Sequence, residues 1–345
     1  MKIHEIYINR CIELAKNGLG TTYPNPLVGC VIVHKNKIIG EGWHQKAGEP
    51  HAEVNAINAV KNKSLLNKST IYVSLEPCSH FGKTAPCCDL IIKHQIPNVV
   101  IGTVDPNSKV AGNGIKRLIE SGKNVTIGIL ENQCKELNKR FFTFHQKKRP
   151  YIILKWAESE DGFIAPEHKD KKEPVWITNQ YSRQLVHKWR SEEQAILVGT
   201  QTVLDDNPKL DVRDWTGKNP TRIVLDRTGK ITKDFFVKDP MAKTIIITEQ
   251  ENFISTENLI YENTIFDIEL SAKICDILYK YDIQSVIIEG GRQTIQTFID
   301  NNIWDEARVF KGTVIINKGT KAPLLSKMAI RKMILNDELK FFNYD

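Results

Sequence analysis

The tightest constraint on this 345-residue chain is the set His51-Ala52-Glu53, Pro77-Cys78 and Cys87. A neutral imidazole and two thiolates are ordinary zinc ligands, and three protein ligands leave a fourth tetrahedral position for water. Zinc lowers the pKa of that water towards neutrality. Glu53 follows His51 by two residues, near enough to move protons without ligating the metal. A fold that uses this set must bring together two helix starts, at His51 and Cys87, and the end of a buried strand before Cys78.

One His, two Cys and a Glu acting as general acid/base is the arrangement of zinc nucleobase deaminases. The spacing here departs from the simple signature, because eight residues, 79–86, separate the two cysteines. That insertion carries His80 and Lys83, which suit the reading of a polar or phosphorylated substrate beside the metal. The plain alternative is a pair of buried structural cysteines. Pro-Cys followed by a second Cys at this distance favours zinc. Adjacent residues point in different directions, so Cys87 is expected to ligate and Cys88 to pack.

The length exceeds a usual single core and predicts two domains, with Lys147-Lys148-Arg149 before Pro150 as the linker. Charge divides along the same line. Residues 1–149 hold 21 Lys and Arg against 11 Asp and Glu, and residues 150–345 hold 27 against 30. A basic first half suits an anionic ligand such as a phosphate ester or nucleic acid; a solvated basic surface gives the same counts. No apolar run is long enough to span a bilayer, and the N-terminus lacks a signal-peptide core. Seven cysteines, an odd number, fit a reducing compartment. A cytoplasmic enzyme is expected.

Periodicity predicts a covering helix over 3–17, strands over 30–33 and 38–43, a helix over 52–60 and a buried strand over 71–75. A helix from Cys87, a strand over 99–104, a helix from Gly112 to Ile119 and a last strand over 125–129 follow. Asn25, between Pro24 and Pro26, could offer its amide to a heterocycle or serve as a turn residue. His44 stands just past a strand end. In the second half the pattern predicts strands over 151–157, 195–199, 222–226, 244–248 and 285–288, helices over 179–190, 270–280 and 293–301, and a polar loop over 202–208. Alternating strands and helices argue a layered α/β architecture in both halves. Glu289-Gly290-Gly291-Arg292 could hold phosphate at a helix start or form a tight turn. It is not G-x-G-x-x-G, so the Rossmann fingerprint is absent.

With both halves read, the chain resembles the bifunctional deaminase/reductase family of riboflavin biosynthesis. The matching stretches in the first half are Pro24 to Gly29, Gly42-Trp43-His44, His51-Ala52-Glu53, Pro77 to Thr84 with Cys87, and Asp105-Pro106-Asn107. In the second half they are Lys155-Trp156-Ala157, Trp176-Ile177-Thr178, Gly199 to Leu204, Asp206-Asn207-Pro208, Arg213 and Glu289-Gly290-Gly291. The resemblance implies a cytidine-deaminase-like three-layer domain over 1–147, then a dihydrofolate-reductase-like α/β domain over 150–345. It implies two reactions. A zinc-dependent deamination acts on 2,5-diamino-6-(5-phosphoribosylamino)pyrimidin-4(3H)-one, and an NADPH-dependent reduction then converts ribosyl to ribityl.

For the deaminase the resemblance implies zinc on His51, Cys78 and Cys87, Glu53 as proton shuttle, and substrate contacts from Asn25, His44, His80, Lys83 and Asp105. For the reductase it implies NADPH contacts at Ala157, Trp176, Thr202, Asp206, Gly291, Arg292, Gln293 and Thr294. Substrate contacts fall at Arg190, Leu210, Arg213 and Glu289. Lys155 is the catalytic candidate, with Asp206 as the other group able to supply a proton. Core packing for Trp176 and Leu210, and surface ion pairs for Arg190 and Arg213, are the plain alternatives. Glu160 and Pro174 depart from the Leu and Ser often found there in the family.

Two other readings compete. A deaminase acting on a flipped nucleic-acid base would want aromatic residues interleaved with basic ones, and the chain has no such run. A structural zinc domain would close its site with four protein ligands, where this set offers three and a Glu. The expected partner is therefore a small pyrimidine ribose phosphate, not nucleic acid or membrane, acted on by a homo-oligomer.

Overall fold

A computed structural model describes residues 2–79, 85–106, 111–169 and 175–344. The chain divides into two compact units, Met1–Lys148 and Arg149–Asp345.

The first unit contains α1 (Lys2–Ala15), β1 (Gly29–His34), β2 (Lys37–Trp43), α2 (Ala52–Ala59), β3 (Thr70–Leu75), α3 (Cys87–Lys93), β4 (Asn98–Thr103), α4 (Asn113–Glu120), β5 (Asn124–Ile127), α5 (Glu131–Leu137) and α6 (Lys139–Lys147). The strands form one sheet in the order β2-β1-β3-β4-β5. β1 pairs antiparallel with β2 and β3, and β3-β4-β5 run parallel. Side chains alternate between sheet faces along a strand, and here both faces are apolar. Cys30, Ile32, Ile71, Val73, Val99 and Ile101 pack under α2, α3 and α4. Their neighbours Val31, Val33, Tyr72 and Val100 pack against α1 and Cys134 of α5. The result is the three-layer domain the sequence implies.

Two glycines set α2 close to the sheet. A Cβ on Gly42 would lie 2.7 Å from the Ala56 nitrogen, and one on Gly40 would lie 2.4 Å from the Ala56 oxygen. The backbone of α2 therefore rests directly on β2, which fixes where His51 and Glu53 stand.

The second unit contains β6 (Tyr151–Glu158), β7 (Phe163–Pro166), α7 (Gln180–Glu192), β8 (Ala195–Gly199), α8 (Thr200–Asp206), β9 (Thr221–Leu225), β10 (Thr244–Thr248), β11 (Leu259–Asn263), α9 (Leu270–Lys280), β12 (Ser285–Ile288), α10 (Arg292–Asp300), β13 (Glu306–Lys311), β14 (Gly319–Lys321), β15 (Ile330–Ile334) and β16 (Asp337–Asn343). Its main sheet runs β11-β10-β9-β8-β12-β6-β13-β16-β15. It is parallel from β11 to β13, and β16 and β15 extend it antiparallel. One face packs α9 and α10 through Ile274, Leu278, Ile295 and Phe298. The other packs α7 and α8 through Val186, Trp189 and Val203.

The region read as a polar loop over 202–208 is helical as far as Asp206. Val203 is the one buried residue of α8, so no apolar period marks the helix. Asn207 at φ 39° then ends it before Pro208. Helices α5 and α6 and strands β7, β11 and β13 to β16 had no counterpart in the sequence reading.

Candidate functional site

Three elements of the first unit meet at one point. His51 is the extended residue that caps α2, and Cys87 is the first residue of α3 after Pro86. Cys78 follows the carboxyl end of β3. The His51 Nδ1 lies 3.6 Å from the Cys78 sulfur and 3.4 Å from the Cys87 sulfur. All three ligand atoms fall within 4.8 Å of one another. Tetrahedral zinc with ordinary bond lengths separates an imidazole nitrogen from a thiolate by about 3.5 Å. The donor set and its spacing therefore fit zinc. Cys88 turns away: its thiol donates to the Pro77 carbonyl at 3.2 Å and lies 3.6 Å from the Gly114 carbonyl.

The two sulfurs differ in acidity. Hydrogen bonding to Cys87 draws Cys78 down to about 4 against the cost of burial, and His51 adds to the pull. The Cys87 thiol is pushed up by its bond to Cys78 and then by burial. Glu53 is 3 % exposed in the first turn of α2. Burial raises its carboxyl and the neighbouring Cys78 adds to the rise, while His51 opposes both. A carboxylate with a raised pKa accepts and returns protons near neutrality more readily than a solvated one.

His44 is 2 % exposed, and both ring nitrogens are engaged within the protein. Nδ1 lies 3.1 Å from the Pro50 carbonyl, and Nε2 lies 3.0 Å from the Asn25 amide nitrogen. An Nδ1–H tautomer satisfies both contacts: the ring donates to Pro50 and accepts from Asn25. Burial also lowers its pKa, which keeps it neutral. His44 thus holds the Asn25 side-chain amide in place. Asp105 is half-buried just beyond β4. His80 and Lys83 lie outside the described residues.

The Asn25 loop is tethered by a residue the sequence did not mark. Asn138, 2 % exposed between α5 and α6, accepts from the Leu27 N–H at 2.8 Å and donates to the Leu27 carbonyl at 2.8 Å. It mimics a strand partner 111 positions away, and nothing local in the sequence signals such a contact. Asn138→Ala removes both bonds and leaves two buried backbone groups unpaired, at a cost of about 2 kcal/mol or more. The expected outcome is a several-fold rise in the deaminase KM with zinc retained, read by steady-state ammonia release and metal analysis.

The second unit holds a cavity of about 1000 Å³ at the carboxyl ends of its parallel strands, where open α/β sheets bind ligands. Lys155 and Ala157 of β6, Thr202 and Asp206 of α8, and Gly291, Arg292 and Gln293 at the start of α10 line it. Trp176, Arg190, Leu210, Arg213 and Glu289 complete the residues expected there. Thr294 is not in the wall: its hydroxyl lies 2.8 Å from where a Cβ on Gly199 would stand. Gly291 has φ +59°, a conformation that disfavours side chains, and it caps α10.

The plain alternatives divide. Trp176 is 53 % exposed with the Arg183 guanidinium 4.3 Å from its ring centre, so it is not core. Leu210 is 3 % exposed and packs with Ile196, Val198 and Val203. Arg213 pairs with Asp211 at 2.7 Å near the surface. Arg190 does not: it grips Glu289 through two bonds, 2.8 and 3.3 Å, and both side chains are mostly buried. Burial pushes the Glu289 carboxyl up, but Arg190 and Lys155 outweigh it and hold it down at about 2. Burial lowers the Lys155 ammonium; Glu289 opposes that and Arg190 adds to it. Asp206 is ion-paired with Lys169. Glu160 is exposed, and Pro174 lies outside the described residues.

Comparison with known proteins bears on both units. Residues 1–103 match the cytidine and deoxycytidylate deaminase zinc-binding region, and residues 150–341 match the RibD C-terminal domain. The riboflavin biosynthesis protein RibD of Aquifex aeolicus is 40 % identical, over 92 % of this chain and 89 % of its own length. The chain belongs to the RibD family. Its RibD relative in Escherichia coli is 34 % identical, over 94 % of this chain and 93 % of that protein. Among solved structures, a diaminohydroxyphosphoribosylaminopyrimidine deaminase/5-amino-6-(5-phosphoribosylamino)uracil reductase from Thermotoga maritima superposes with a TM-score of 0.89. That protein is 38 % identical, and the match covers 99 % of each chain. RibD of Acinetobacter baumannii gives 0.87 at 31 % identity, also over 99 % of each chain. As a RibD-family member the chain is a bifunctional enzyme of riboflavin biosynthesis, a deaminase followed by a reductase. No helix among the described residues is long and apolar enough to cross a membrane.

Proposed function

We propose that residues 1–147 deaminate 2,5-diamino-6-(5-phosphoribosylamino)pyrimidin-4(3H)-one and that residues 150–345 reduce the deaminated product with NADPH. The observation that carries the reading is the His51, Cys78 and Cys87 cluster beside a buried Glu53. Zinc held by these three residues would supply a water whose pKa approaches neutrality. Glu53 would take one proton from the attacking water and pass it to the ring nitrogen. The same carboxylate would then carry the second water proton to the amino group, which leaves as ammonia. Asn25, oriented by His44, accepts a hydrogen bond from the pyrimidine, and Asp105 contributes a further polar contact.

The second unit would hold NADPH, whose nicotinamide would supply the hydride. Trp176 with Arg183 offers a flat, cationic wall for the cofactor, and the start of α10 at Gly291 offers backbone N–H groups to its phosphates. Arg190 and Glu289 hold each other in register and present polar groups to the ribosyl chain, with Arg213 nearby. Lys155 is the better proton donor of the two candidates, because Asp206 is already committed to Lys169.

The choice of Lys155 has a pH signature. The ammonium must be protonated to donate, and burial lowers its pKa. Reductase kcat/KM should hold at neutral pH and fall as pH rises through a value below the ordinary lysine 10.5. Lys155→Arg should remove that alkaline limb, whereas an unchanged limb would point to another donor. The function itself is tested by incubating the full chain with the diaminopyrimidine phosphate, following ammonia and NADPH absorbance separately. Ammonia should appear without NADPH, and NADPH should be consumed only after deamination. NADPH consumption that outpaces ammonia release would reverse the proposed order.

A further inference from the structure

Glu76 immediately precedes the Pro77-Cys78 turn and is 5 % exposed, yet the chemistry above makes no use of it. Its carboxylate is satisfied by backbone. Oε2 accepts from the Asp105 N–H at 3.2 Å and the Gly112 N–H at 3.0 Å. Oε1 accepts from the Gly114 N–H at 2.9 Å and the Ile115 N–H at 3.3 Å. Gly114 and Ile115 belong to the first turn of α4, whose N–H groups have no partner within the helix. The approach is close. A Cβ on Gly114 would lie 2.2 Å from the Pro77 carbonyl oxygen and 3.2 Å from Glu76 Oε1. One buried carboxylate therefore joins the turn that carries a metal ligand to the segment that carries Asp105.

We infer that Glu76 is a positioning residue for deamination, locking the Asp105 segment and the start of α4 against the Pro77-Cys78 turn. The metal ligands and the polar contact to the pyrimidine then keep a fixed separation. The inference rests on the reading of Asp105 as a substrate contact. A carboxylate is required because each oxygen must accept from two N–H groups. A glutamine side chain offers one accepting oxygen and sets its own N–H groups against two backbone donors. It also loses the charge that strengthens these bonds and that the α4 N-terminus favours.

Glu76→Gln should raise the deaminase KM by about ten-fold or more, the scale of one lost charge-assisted bond. The kcat should stay within a few-fold, and zinc content and reductase rate should not change. Glu76→Asp keeps the charge but falls one methylene short, and should give an intermediate KM. Asp105→Asn is measured in parallel. Should Asp105→Asn raise KM while both Glu76 variants leave it unchanged, the inference is overturned. Loss of zinc and of both activities together in both Glu76 variants would mark Glu76 as a folding element and also overturn it. An unchanged KM in Asp105→Asn would remove the substrate reading underneath, and the inference with it; only that outcome faults the reading itself.

Discussion

Glu53→Gln is expected to abolish most deamination while leaving the metal site and the reductase intact. Gln is nearly isosteric with Glu, and residue 53 is outside the His51, Cys78 and Cys87 cluster, so zinc should remain. What disappears is a group that can take a proton from water and return it to a ring nitrogen. General acid–base catalysis of this kind contributes about 10²- to 10⁴-fold, and kcat for ammonia release should drop by that factor. The pH profile of the parent carries the same information. Glu53 must be ionised to begin the cycle, and burial raises its pKa. Activity should therefore fall on the acid side through a value above the ordinary 4.5. A Gln variant within a few-fold of the parent, with zinc bound, would remove Glu53 from the mechanism.

Glu289→Gln should damage the other half. The carboxylate is mostly buried between Arg190 and Lys155, and is held at about 2 against an ordinary 4.5. That depression corresponds to stability on the order of 3 kcal/mol. A depressed acid stabilises the fold fully above its unfolded pKa, and the contribution drains away as pH falls from about 4.5 towards 2. Glutamine lacks the charge at every pH and leaves Arg190 and Lys155 beside each other without their counter-ion. Denaturant unfolding of the full chain should show the reductase transition destabilised by about that amount at neutral pH, with NADPH oxidation strongly reduced and ammonia release preserved. A variant as stable as the parent at pH 7 would show that the pair contributes nothing net.

The metal-site residues were legible because their chemistry is local: His-x-Glu at a helix start and Pro-Cys after an apolar strand need no tertiary information. The core strands were legible for the same reason, since β1, β3, β4 and β12 are short segments dominated by buried apolar residues. β13 was not. Its sequence Glu306-Ala307-Arg308 places two charges in a buried strand. They are tolerated because Arg308 binds Glu306 at 2.6 Å and Glu306 accepts from the Tyr151 hydroxyl at 3.1 Å. β16 opens with Asp337, which is buried because it accepts from the Ser182 hydroxyl and the Asn179 N–H. The bonds from Tyr151, Ser182 and Asn179 join residues more than 150 positions apart, and no sequence window contains both partners. The support around the deaminase centre is hidden in the same way. Asn138 and Glu76 act through backbone groups, which carry no residue-type signature, and the bond from His44 to Asn25 exists only in the fold.

The most direct test is X-ray absorption at the zinc edge on the full chain, combined with metal analysis. One zinc per chain is expected, with two sulfur ligands, one imidazole nitrogen and one exchangeable oxygen. A third sulfur from Cys88, a closed set of four protein ligands, or undiminished ammonia release from protein stripped of metal would contradict it.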